Sequence, residues 1–476
     1  MADQQLVTLK SRLTIGNLLL FAGIATALAT GYVVFRWDIL GGVLAALLWG
    51  AVAFLIVLFR RPEMGMLVAV AYSFVLPFFG REIVSVPFGI GVEGLLVISW
   101  IAALFNASEA DWRHVRNDLV GLTLLWFLIS VLQVANPSGA SVMGWVQELR
   151  GAALHALLII PLVFLVFNKE RHLNIFLVLI IALSVLAALN GLRQLRIGLL
   201  PGEQAFLEQV ASTHLIWGKL RVFSFYTDAG MFGASQAHIA LVALILCFGP
   251  YKVWVRVLLL IAGGILLYGM LISGTRGALF VLVFGAFSAI FLFKNFKVLT
   301  LGLIMGICAL AFLKYTHIGS GNYHIYRLRT ALDPQDASLN LRFQNQQILN
   351  DHLKNKPFGE GLGVIGTWGH EYNSDKFIST IEPDSYWVKV WAMYGVVGLT
   401  IWFCMMLYIQ GKCGGYIWRI RDPGLRIKLI ALLAGTVGIF VSSYGNEVIN
   451  RIPASLVVYV SWALIYLGPK MDSERR

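Results

Sequence analysis

The chain has 476 residues, 58% of them hydrophobic and only 13% charged, with a formal net charge of +12. Soluble domains carry roughly a quarter charged residues, so this composition excludes a soluble globular protein and points to one that passes repeatedly through a membrane. The four cysteines, Cys247, Cys308, Cys404 and Cys413, lie in or beside apolar runs and give neither a disulfide framework nor a CxxC metal pattern.

Apolar runs recur from Ile15 to Leu467, each of about 17–25 residues and so long enough to cross ~30 Å of hydrocarbon. A lipid-embedded backbone must satisfy its own hydrogen bonds, and strands of a barrel would alternate polar with apolar residues. The predicted fold is therefore an all-α polytopic membrane protein. Its expected spans are 15–35, 39–59, 64–80, 86–105, 119–135, 151–167, 173–191, 229–248, 256–272, 277–293, 298–314, 386–410, 429–445 and 453–468. Counting one or two of the early runs as half-buried gives 12–14 transmembrane helices. The polar, basic segment before Ile15 leads into a first run without a convincing cleavage site, so a retained first helix is expected.

Short connections alternate in Lys and Arg content. Lys10/Arg12, Arg60/Arg61, Arg113/Arg116, Lys169/Arg171, Lys252/Arg256, Lys294/Lys297, a cluster over 412–428 and Lys470/Arg475/Arg476 fall on one side. Single arginines (Arg36, Arg81, Arg150, Arg276, Arg451) fall on the other. The positive-inside bias predicts cytoplasmic termini and a large outer loop over 315–385 that contains helices. That loop and the segment 193–227 are outer yet basic, which suits an anionic substrate at the outer leaflet. Solvation of long loops explains the same charges more blandly. The organisation expected is 1–228 as N-terminal helices with a first outer segment, 229–468 as a core including the loop, and 469–476 as a cytoplasmic tail.

Several motifs carry chemistry. Ser273-Gly274-Thr275-Arg276-Gly277 leaves room only for a tight turn between spans, so Arg276 stands at the N-terminus of a helix. Free N–H groups, the positive dipole end and a guanidinium together suit phosphate oxygens. A snorkelling interfacial arginine is the plainer reading. Arg221 lies upstream of the span that opens at Ala229, with Thr227 or Asp228 as its cap. Arg342 belongs near the start of an amphipathic outer helix ending in the Gly/Pro run 355–363. Gly361 to Gly366 matches GxGxxG but has no βαβ context, so no dinucleotide is expected. Asp384 or Ser385 caps the span that follows; a carboxylate at that lip also suits proton abstraction from a hydroxyl. His317, His324, His352 and His370 lack metal-site spacing. Asn446, Glu447 and Arg451 close the outer end of another span, with Glu148 and Arg150 as weaker candidates.

In order and spacing these pieces resemble the O-antigen ligase/O-antigen polymerase superfamily of bacterial inner-membrane glycosyltransferases, over about 221–398. The matching elements are three. They are the Ser-x-Ser/Thr-Arg-Gly turn at Ser273 to Gly277, the loop arginine Arg342 followed by Pro357 to Gly363, and the loop-to-helix motif at Asp384 and Ser385 with Gly395 and Gly398. The chain departs from the ligase pattern in one place: Asp384 stands where ligases characteristically have a catalytic His.

The resemblance implies a glycosyltransferase without cofactor or metal, in the bacterial inner membrane, with its active site facing the periplasm. It would move a glycan from undecaprenyl diphosphate to lipid A–core by a direct displacement that inverts the anomeric carbon. Alternatives are a polymerase extending a growing lipid-linked glycan and, less well matched, a lipid-linked oligosaccharide transporter. Asp384, Arg276 and Arg342 would be catalytic; Arg221, His370, Ser385 and Arg451 would bind substrate. Membrane lipid is an expected partner and nucleic acid is not.

Overall fold

The computed structural model describes residues 2–83, 89–294, 296–318, 321, 323–333, 335 and 337–475, with side chains described except at 2–22, 25, 296–299, 301–303, 305, 309, 313, 337 and 338. The side chains of Lys10, Arg12 and Lys297, together with Arg476 and the expected start of a span at 86–88, lie outside what is described.

The chain is an all-α polytopic membrane protein. Among the described residues nine helices are long and apolar enough to cross a membrane, and three shorter apolar helices, Ile90–Asn106, Gly277–Leu292 and Ala454–Tyr466, accompany them. Each expected apolar run coincides with a helix over most of its described length. The chain falls into two compact units, Met1–Met64 and Gly65–Arg476. In the first, the helix Ala2–Arg60 leaves helical geometry at Trp37 and Asp38, where the sequence separates two spans.

In the second unit the helices Ala229–Leu246 and Pro423–Ser442 are buried on nearly every side. Both pack against Gly277–Leu292. Small residues make this possible, since helices in an apolar solvent gain most from close backbone approach. A Cβ on Gly285 would fall 2.6 Å from the carbonyl oxygen of Ala434, and one on Gly438 would fall 2.5 Å from that of Val281. Polar groups gather at the two ends of this core. At one end Glu170 binds Lys428 at 2.8 Å and also accepts from Arg475. At the other, the segments 193–228 and 316–385 and the turn 443–453 converge.

The segment 193–228 contains the helix Pro201–Gln209 and a hairpin pairing Leu215–Ile216 with Lys219–Leu220. Its turn uses left-handed Trp217 and Gly218, as two-residue hairpins require. The 316–385 segment contains the helices Tyr323–Thr330, Ala337–Leu353 and Thr367–Tyr372. It closes on the long helix Tyr386–Arg419, which breaks at Gly395, φ 69°.

Candidate functional site

The tight turn expected before Gly277 is present. The helix Val253–Ile272 ends at Ser273, and Gly277–Leu292 starts four residues later with Arg276 at its N-cap. Gly274 takes φ 59°, a conformation L side chains rarely hold. Thr275 pins the turn by donating to the Ala229 carbonyl at 2.7 Å. Arg221 locks it from outside, donating to the Ser273 carbonyl (3.2 Å), Thr275 Oγ1 (3.2 Å) and the Thr213 carbonyl (2.8 Å). Burial, and next the charge of Arg327, lower the Arg221 pKa to about 10. A guanidinium so placed gains from an added anion.

Of the two possible caps at 384–385, Ser385 takes the role: its buried hydroxyl accepts from the Val388 N–H at 3.3 Å. Asp384 is thereby released from capping, and it sits at φ 48°, strained for a residue with a Cβ. Its Oδ2 lies 3.8 Å from Arg342 Nε, while Arg342 Nη2 donates to the Gly445 carbonyl at 3.1 Å. Burial raises the Asp384 pKa; Arg342 opposes this, and Glu382 and Glu447 add to it. His370 is exposed and pairs with Glu382 at 2.8 Å.

Two separate sequence motifs meet in space. The glycine-rich run 357–363 is stitched into the broken helix at Gly395: the N–H groups of Glu360 and Gly361 donate to the Ala392 and Met393 carbonyls, both at 3.0 Å, and Val397 N–H donates to the Pro357 carbonyl at 3.2 Å. The break frees the partners, and the run supplies them. This fixes the helix carrying Arg342 against the helix preceded by Asp384.

These elements enclose a polar cavity of about 490 Å³. Arg221, Arg276, Arg327, Arg342 and Arg451 line it, with the carboxylates of Asp228, Glu382, Asp384 and Glu447. Asp228 caps its helix, accepting from Met231 N–H at 2.8 Å, and also lies 3.8 Å from Arg451. Five of the seven expected site residues thus share one wall system. Ser385 and His370 are not among the lining residues, although His370 touches the cavity through Glu382. Arg327 and His214 line it as well; nothing in their sequence context separates them from solvated loop residues.

A second, largely apolar groove of about 530 Å³ shares Arg276, Gly277, Arg342 and Gly445 with the cavity. Phe280, Phe284, Trp387 and Val441 extend it along the helices. The cationic cavity and the apolar groove therefore adjoin, with Arg276 and Arg342 in their common wall. Among the described residues no group of three or more His, Cys, Asp or Glu side chains is arranged to hold a metal ion.

Residues 261–403, which include Arg276, Arg342 and Asp384, match the family model described as O-antigen ligase. That segment is similar to the O-antigen ligase family. Over this stretch the chain is similar to the O-antigen ligase/polymerase type, a family of glycosyltransferase-like enzymes of glycan assembly. No curated protein gives a significant match to the chain. The matched segment contributes the turn, the loop helix and the broken helix, whereas Arg221, Glu447 and Arg451 reach the cavity from outside it.

Proposed function

We propose that the protein transfers a glycan from undecaprenyl diphosphate to lipid A–core at the periplasmic face of the bacterial inner membrane. The observation that carries this reading is the convergence of five arginines on a cavity that shares part of its wall with an apolar groove. That pairing suits an anionic head joined to a long hydrocarbon chain. Arg276 and Arg342 hold the diphosphate, Arg221 and Arg451 assist, and the polyprenyl chain follows Phe280 and Phe284. Residues 229–468 form the working core, and both termini are cytoplasmic.

The acceptor hydroxyl attacks the anomeric carbon as the bond from that carbon to the diphosphate oxygen breaks. The electron pair leaves with the diphosphate, where fixed guanidinium groups stabilise the developing charge without reorganisation. The hydroxyl proton passes to Asp384, whose raised pKa makes it a better base than an exposed aspartate. One displacement inverts the anomeric centre, and the arginines provide the charge stabilisation that a divalent ion provides elsewhere. His370 sits at the rim, where its contact with Glu382 places it to meet sugar, and Ser385 acts from beneath by seating the helix.

One observation favours a second reading. Asp384 stands at the position where ligases characteristically have His, which fits a polymerase extending the lipid-linked glycan. Purified protein given lipid-diphosphate-linked glycan and lipid A–core, with a chelator present, separates the two. Glycan-bearing lipid A supports the ligase; a ladder of lengthening donor with untouched lipid A supports the polymerase. Unchanged lipids would sink both.

A further inference from the structure

A lysine lies inside an apolar span, where an ammonium is costly and calls for a partner and a purpose. Lys389 is one turn beyond Ser385, and its side chain is only 4% exposed. Its Nζ lies 2.9 Å from Glu148 Oε2 and 3.3 Å from Glu447 Oε2. The same Glu447 oxygen accepts from Arg451 Nη2 at 2.9 Å. Arg451 then reaches Asp228. The cluster therefore joins four parts of the chain: the 142–166 helix, the 386–419 helix, the turn 443–453 and the cap of the 229–246 helix.

We propose that Lys389 is a positioning residue of the cavity: its buried ammonium anchors the carboxylate of Glu447 and, through it, the guanidinium of Arg451. Glu148 is the counterion that makes the buried lysine tolerable, and it does not line the cavity. Glu447 and Arg451 do. The loop closes over the cluster at Gly366, where a Cβ would lie 3.6 Å from Lys389 Nζ and 3.8 Å from Glu447 Oε1. A backbone position at φ 72° with such neighbours keeps the lid on the ion cluster thin.

The groups that face Glu447 all bear on its charge. Burial pushes its pKa up, but Lys389 and then Arg451 outweigh burial and hold it at about 2. Glu148 faces it across Lys389, and Tyr386 interacts with it from the same helix as the lysine. Asp228 and Asp384 approach from the cavity side, where Arg221, Arg276 and Arg342 face them. Three carboxylates share two cations in the cluster, so removing Lys389 leaves an excess that Glu148, whose direct ion pair is with Lys389 and which feels Arg451 only at longer range, absorbs first. Replacing Glu148 as well isolates what Lys389 does for Glu447.

The ionisation of Glu447 does not depend on the glycosyltransferase reading; only the consequence for donor binding rests on it. The test compares Glu148→Gln with Lys389→Met/Glu148→Gln by infrared titration of the carboxyl groups, using Glu447→Gln in each background to assign the band. Loss of the anchor is expected to move the Glu447 midpoint up by at least about one pH unit, a tenfold change in ionisation. Farnesyl diphosphate binding is expected to match wild type in Glu148→Gln. It should weaken about tenfold in the double variant, with its acid limb displaced upward. An unchanged Glu447 midpoint overturns the proposal. So does a folded double variant that binds with wild-type affinity and pH profile, since Lys389 would then only neutralise Glu148. Absence of diphosphate binding in wild type counts against the phosphate reading, while the infrared midpoint still decides the role of Lys389. If the Met double variant fails to fold, Lys389→Gln/Glu148→Gln, which keeps a hydrogen-bond donor, carries the same titration.

Discussion

At the scale of single residues, the contrast between Asp384 and Ser385 separates chemistry from architecture. Both are types that cap helices, but only the Ser385 hydroxyl does so, leaving the Asp384 carboxylate beside Arg342. Asp384→Asn is expected to lower kcat by about 10²–10⁴ with little change in thermal stability. Because burial raises the Asp384 pKa, its base form disappears as pH falls through a value above the ordinary ~3.9. The acid limb of kcat/KM should therefore lie above that value and vanish in Asp384→Asn; a wild-type limb at or below it argues against the assignment. Ser385→Ala should instead cost about 1 kcal/mol of stability through the lost cap. A rise in KM with unchanged melting temperature would give Ser385 a direct substrate contact. For Arg276→Ala, loss of a preorganised donor at a helix N-terminus predicts a fall of about 10²–10³ in kcat, measured on correctly inserted protein. Full activity there removes Arg276 from the mechanism.

At the scale of elements, the break at Gly395 and the run 357–363 act as one device. A Cβ on Gly395 would fall 2.0 Å from the Pro357 carbonyl oxygen, at a positive φ. Gly395→Ala therefore has to displace the stitched backbone as well as bear the roughly 1–3 kcal/mol of left-handed strain. The expected result is a lower melting temperature in detergent together with reduced activity, as the Ala337–Leu353 helix loosens and Arg342 drifts from Asp384. Wild-type melting and activity would show that the stitch does not position the site. The sequence carried both glycine motifs, but not their contact. Nearest-neighbour propensities report a turn and a flexible helix; they hold no information on which unsatisfied carbonyl meets which N–H some thirty residues away.

At the scale of the whole molecule, the groove lined by Phe280, Phe284 and Val441 opens onto the arginines. Filling it with Val441→Trp should raise KM for a long-chain polyprenyl diphosphate donor by about tenfold, equivalent to about 1.4 kcal/mol or roughly two buried methylenes. A short-chain donor should be affected much less. Equal effects on both donors would place the hydrocarbon chain elsewhere.

What the sequence by itself determined was whatever depends on local composition and short-range geometry. Long apolar runs must be helices in lipid, whatever their neighbours. The tight turn before Gly277 must bring Arg276 to a helix start, because no residues remain for anything else. The motif order was sufficient to point to the O-antigen ligase family, whose model matches residues 261–403. Tertiary structure decided which charges share a cavity. It brought Arg221, Arg327 and Arg451 to Arg276 and Arg342, gave the cap to Ser385, and buried Lys389 between two glutamates. Those outcomes turn on long-range approach and on the balance between desolvation and pairing. A lysine in an apolar run looks the same in sequence whether it snorkels to water or anchors a carboxylate.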